Sequence, residues 1–117
     1  MTTETERLNT EANADLPAAL LARIVERMDP LAIWLFGSRA QGRASADSDF
    51  DLLAVMPDGT PEEVLDPIKA WEVTRGLGVP VDLVPCTLSE FDEEKNEIDT
   101  LARAAFLHGK LIYEREP

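Results

Sequence analysis

A chain of 117 residues with 44% hydrophobic content is long enough to bury one core and too short to divide into two domains. Its 23 acidic side chains against 11 basic ones leave a formal charge of −12, which excludes a partner held by counterion release, so no nucleic-acid partner is expected. The single cysteine, Cys86, allows no internal disulfide, and the single histidine, His108, cannot anchor a zinc cluster. No apolar run approaches the roughly 18 residues that a membrane span needs, and no basic leader precedes an apolar stretch. The expectation is a protein with no membrane partner and a cytoplasmic location.

Residues 1–14 are rich in Thr, Glu and Asn with little to bury, and they read as a flexible N-terminal tail ahead of a domain spanning 15–117. Leu16, Leu20, Leu21, Ile24, Val25 and Met28 recur at helical spacing with Arg23, Glu26 and Arg27 opposite them, which predicts a helix over 16–28. Asp15 is placed to cap it, Pro17 is tolerated in its first turn, and Asp29-Pro30 ends it. The apolar run over 31–36 predicts a first strand, with Trp34 in the core, and Gly37-Ser38 breaks that strand. Residues 41–47 are small and polar and read as a loop that admits substrate; a second strand follows over 49–55.

Pro57-Asp58-Gly59 turns the chain, and Thr60-Pro61-Glu62-Glu63 has capping-box spacing with Pro at the first helical position. A helix over 61–75 is expected to lay Val64, Ile68 and Trp71, with Leu65 beside them, against the sheet, and Gly76 and Gly78 end it. Residues 79–84 predict a third strand that carries Asp82 between Val81 and Leu83. The stretch after Pro85 is strongly acidic, the signature of a solvated helix face. Thr87 or Ser89 can cap that helix, and Phe91, Ile98, Leu101, Ala102 and Ala105 fall on one side of it before Gly109. Residues 110–113 predict a short closing strand. The fold class is α/β: a small mixed β-sheet packed by helices, mostly on one face.

The chemistry concentrates between Gly37 and Asp51. Side chains alternate along a strand, so Asp49 and Asp51 share one side while Phe50 and Leu52 share the other. Two adjacent carboxylates repel, and a divalent cation reverses that repulsion. Oxygen-only ligation with no nearby His or Cys suits magnesium, which completes its shell with waters and substrate phosphates. Gly37 lets the backbone approach an anion, Ser38 offers a hydroxyl, and a helix starting over 38–41 would aim free amides at the same anion. Arg39 and Arg43 are the cations near such a phosphate. Asp82, an acid inside an apolar strand, costs several kcal/mol unless a partner or an ion compensates it.

Gly37-Ser38-Arg39-Ala40-Gln41-Gly42 followed by Ser48-Asp49-Phe50-Asp51-Leu52 resembles the signature of the minimal nucleotidyltransferases of the DNA polymerase beta superfamily. The match spans about residues 31–84. Val79-Pro80-Val81-Asp82-Leu83-Val84 resembles the later strand on which that family carries a third carboxylate, and Gln41 departs from the second Arg found in many relatives.

The resemblance implies a nucleotidyltransferase fold and a transfer of a nucleoside monophosphate, AMP from ATP, with release of pyrophosphate. Asp49 and Asp51 would hold two magnesium ions, and Gly37, Ser38, Arg39 and Ser48 would bind the nucleotide. Asp82 would serve as the third metal ligand, on the side of the attacking hydroxyl. Short stand-alone members of the family are often antitoxins encoded beside a HEPN-domain ribonuclease toxin, and some adenylylate a tyrosine of that toxin. The implied partner is therefore such a toxin, in a homo- or hetero-oligomer. Two other functions fit the same motif. One is a non-catalytic antitoxin or nucleotide-binding module that neutralises its partner by contact; the other is a small-molecule nucleotidyltransferase that borrows its acceptor site from a separate subunit.

Overall fold

The apolar periodicities resolve into short elements joined by tight turns. The structure, a computed structural model, describes the backbone alone for residues 6–8 and describes residues 16–43 and 48–116 in full. Among these the strands are β1 (Glu6–Leu8), β2 (Ala32–Phe36), β3 (Phe50–Met56), β4 (Val81–Thr87) and β5 (Lys110–Arg115). The helices are α1 (Ala18–Met28), α2 (Glu62–Leu65), α3 (Pro67–Thr74), α4 (Leu88–Glu94) and α5 (Leu101–His108). The sheet order is β1-β5-β2-β3-β4. β3 and β4 run parallel and every other neighbouring pair is antiparallel, so the sheet is mixed. β1 falls inside the segment read as a tail and adds the outermost strand beside β5. The rest of residues 1–14, and the Asp15 cap, lie outside the described residues.

Strand alternation divides the core in two. Leu52, Ala54 and Met56 of β3 join Ile33, Leu35 and Leu83 on one face, where Leu20, Leu21, Ile24 and Met28 of α1 and Ala70 of α3 cover them. Leu53 and Val55 point the other way and pack with Phe36, Phe91 of α4, and Ala102 and Ala105 of α5. Helices therefore cover both faces, where the sequence predicted mostly one. The reason is local: residues 88–108, read as one acidic helix, break into two short ones that fold back onto the second face. Asp99 takes a left-handed backbone at φ 67°, and Thr100 starts α5 by accepting the Arg103 amide at 3.1 Å on its hydroxyl. Thr87 caps α4 through a reciprocal box with Glu90, one of the two caps predicted, the other being Ser89. Alanines at 102 and 105 let α5 approach β2, and Gly109 completes the fit. A Cβ there would stand 2.5 Å from the Ala105 carbonyl oxygen and 2.6 Å from that of Leu35.

The helix predicted over 61–75 is likewise interrupted. Pro67 has no amide to donate and forces Asp66 into an extended conformation, so the helix stops at Leu65 and restarts. Asp66 caps the restart by accepting the Ile68 amide at 2.8 Å. The Thr60 capping box does not form; the Thr60 hydroxyl donates to the Pro57 carbonyl instead, at 2.6 Å. The break also rotates the second half. Ala70 and Thr74 are buried, whereas Ile68 and Trp71, expected against the sheet, are 66% and 56% exposed. Trp34 does lie in an aromatic cluster, stacked on Phe91 at 5.7 Å with Phe106 edge-on.

Candidate active site

The end of β2 and the beginnings of β3 and β4 meet at one margin of the sheet. Antiparallel pairing sets Phe36 opposite Asp51, and parallel pairing sets Asp51 beside Asp82. Residues in register on neighbouring strands project from the same face, so the two carboxylates lie side by side. Asp49 precedes β3 by one residue and is exposed, and so is Asp82, which on the edge strand does not carry the burial cost its apolar neighbours predicted. Burial raises the Asp51 pKa above the ordinary aspartate value, and the charges of Asp82 and Asp49 push it further in the same direction. All three acids therefore act on one small volume, and the sign of that effect is the sign a cation would reverse.

The three carboxylates form an open cluster. Among the described residues no group of three or more His, Cys, Asp or Glu side chains is placed to hold a metal ion by itself. Carboxylate oxygens are the kind of ligand that hard divalent cations accept.

Gly37 adopts φ +74°, and a Cβ at that position would run into the Asp51 carboxylate. Its missing side chain thus serves the acid directly, as well as leaving the backbone bare toward the site. Residues 38–42 form a tight turn in place of the anticipated helix start. The Ser38 carbonyl accepts the amides of Gln41 at 3.2 Å and Arg43 at 2.9 Å.

The arginines have structural roles in this loop. Arg39 lays its guanidinium 3.9 Å over the Phe50 ring and donates from Nε to the Ser48 carbonyl at 2.9 Å. Phe50 points to the α1 face, opposite Asp51, so Arg39 pins the two ends of the loop together from behind the carboxylates. Ser48 is half-buried and meets Arg39 through its backbone. Arg43 donates to the Gln41 side chain at 2.5 Å, and residues 44–47 of the loop lie outside the described residues. Cys86 and His108 stand apart from this margin. The Cys86 thiol is half-buried, and burial, with help from Glu90 and Glu94, pushes its pKa up to about 12.

Sequence reasoning missed one feature beside the site. Trp71, exposed by the break at Pro67, lines a groove of about 160 Å³ with Leu65, Pro67 and the strand from Val81 to Pro85, and Asp82 is part of its wall. Pro67 was the available signal, since a proline seven residues into a predicted helix resets the phase of everything after it.

This fold and this margin of acids define a class, the nucleotidyltransferases. The family model for the nucleotidyltransferase domain matches residues 19–106, and the chain belongs to that family. Two solved structures share the fold. One is a protein of Sulfolobus solfataricus described as a nucleotidyltransferase, 20% identical with a TM-score of 0.51, over 80% of this chain and 72% of that one. The other is a toxin-antitoxin structure with AMP-PNP, 23% identical with a TM-score of 0.53, over 86% of this chain and 76% of that one. No curated protein matches the sequence.

Proposed function

We propose that this protein is a magnesium-dependent protein adenylyltransferase that transfers AMP from ATP to a tyrosine of a partner HEPN toxin and so acts as its antitoxin, in the cytoplasm. The observation that carries the transferase reading is the in-register pair Asp51 and Asp82, with Asp49 beside them and Gly37 shaped around the Asp51 carboxylate. The antitoxin half draws support from a structural neighbour that is a toxin-antitoxin structure bound to an ATP analogue.

In this reading Asp49, Asp51 and Asp82 would hold two magnesium ions, and Gly37 and Ser38 would receive the terminal phosphates, with Arg39 and Ser48 shaping the loop beside them. Bound cations would offset the charge developing on the attacking and leaving oxygens. The acceptor oxygen forms a bond to the α-phosphorus, and the bond from that phosphorus to the bridging oxygen breaks. Pyrophosphate leaves with the electron pair. Asp82 stands on the acceptor side, where its carboxylate can take the hydroxyl proton and pass it to water.

Incubation with labelled ATP, magnesium and the toxin encoded beside its gene tests this. The toxin gains one or more AMP groups on tyrosine by intact mass and peptide mapping, and Asp82→Asn abolishes the adduct while the complex survives. Toxin neutralised equally well by Asp82→Asn, with no adduct, would replace the enzyme with a non-catalytic antitoxin.

A further inference from the structure

β4 is the last strand of the sheet, so one side of it is open. The Pro80 carbonyl accepts the Phe50 amide at 2.9 Å, which sets the phase of the strand. Even-numbered residues turn their N–H and C=O groups to β3, and the odd-numbered Val81, Leu83 and Pro85 turn theirs outward. Among the described residues no hydrogen bond engages the outward amides of Val81 or Leu83. Pro85 has no amide to offer and ends this open ladder after two residues. The groove described above runs along the same edge, with Leu65, Pro67 and Trp71 as its far wall. The Arg75 guanidinium lies 5.0 Å over the Trp71 ring and holds the exposed indole in position.

Resting on the proposed transferase reading, we infer that the acceptor polypeptide docks as an extended segment against the open edge of β4, between Val81 and Pro85, with an apolar-hydroxyl-apolar sequence at its centre. The argument is one of continuity and phase. Asp82 belongs both to the carboxylate cluster and to the wall of the groove. A residue paired opposite Asp82 on an added strand projects on the Asp82 face, toward the acids. Its two neighbours project on the other face, toward Trp71, Leu65 and Pro67. An extended segment with a hydroxyl at the central position and apolar residues on either side satisfies both faces at once. The formal charge of −12 favours basic residues at the ends of that segment.

The test uses a synthetic peptide, acetyl-Lys-Gln-Val-Tyr-Val-Gln-Lys-amide, and a Trp34→Phe background in which Trp71 is the remaining tryptophan. Added peptide shifts the Trp71 emission to shorter wavelength in a saturating titration. N-methylation of the central Val, Tyr and Val amides weakens binding at least tenfold, because successive amides alternate in direction and either the Tyr amide, in a parallel segment, or the two Val amides, in an antiparallel one, face the strand edge. In the labelling assay Trp71→Ala raises KM for the peptide at least tenfold and leaves kcat, and the stabilisation by ATP with magnesium, unchanged. Equal binding of the N-methylated peptide, or no emission shift at all, overturns the docking edge. Peptide binding with the expected N-methyl sensitivity but no nucleotide transfer to any acceptor leaves the docking edge standing and removes the transferase reading instead.

Discussion

One face of this sheet carries two contrasting regions a few residues apart. Toward Leu53 and Val55 it is dry, with Phe91, Ala102 and Ala105 packed over it and Trp34 stacked alongside. Toward Asp51 and Asp82 the same face is left open, because α4 and α5 cover only the apolar end. The strands, their pairing and their alternation are continuous through both. What differs is the cover. Where helices exclude water, burial stabilises the fold; where they stop, charges that repel one another are left facing water, where a cation would offset them. Stability and chemistry thus sit on one surface and should respond to substitution in opposite ways.

The largest effect that would test this division is on turnover at the open end. Asp51→Asn is expected to lower nucleotide transfer by a hundredfold or more, on the order of what removing one charge-stabilising group costs, while the purified variant melts at or above the wild-type temperature. A variant that transferred label at the wild-type rate would remove Asp51 from the site, and one that unfolded would erase the distinction between the two regions.

Phe91→Ala strikes the covered end. It empties a site that is 6% exposed, and about 3 kcal/mol of stability should be lost in denaturant melts. Nucleotide binding per folded molecule should stay close to wild type when measured well below the melting temperature. A smaller effect is expected of Gly37→Ala at the boundary. The left-handed backbone at φ +74° costs about 1–2 kcal/mol with a Cβ present, and the new methyl displaces the Asp51 carboxylate. Both stability and transfer should therefore fall together, and a fall in only one would show that Gly37 serves just one of the two regions.

The smallest effect is a pH dependence. Asp51 has a raised pKa in the folded chain through burial, then Asp82, then Asp49. The folded state therefore binds this proton more tightly than the unfolded chain does. Its contribution to stability is complete below the ordinary aspartate pKa and is lost as the pH climbs through the raised value. In metal-free buffer the melting temperature of Asp51→Asn should gain on wild type as pH rises through that window, and magnesium with ATP should narrow the gap by restoring the wild type. A gap independent of pH would mean that the Asp51 carboxylate is not under the strain its neighbours impose.

Much of this was legible from residue order alone. Period-two alternation around Asp49-Phe50-Asp51 is a property of the extended backbone, so the shared side of the two acids followed without any tertiary contact. The helix over α1, the strands β2 to β5 and the Thr87 cap were readable for the same reason, since each is decided by neighbours within a few positions. Ile68 and Trp71 were misread as core. Their helical phase was taken to run unbroken through Pro67, and the restart at Asp66 turned them outward.

Gly37, Ser38, Asp49 and Asp51 stand within one local motif, so residue order was enough to relate them as candidates. The family resemblance grouped Asp82, 31 positions beyond Asp51, with the other acids, but the contact itself comes from the fold, because parallel pairing of β3 with β4 is long-range and has no local signature. Only the tertiary structure decided that Arg39 packs on Phe50, that α4 and α5 fold back over half a sheet face, and that the edge of β4 stays open beside the acids. Each of those depends on which surfaces meet, and a chain read residue by residue carries only the propensities from which the meeting is built.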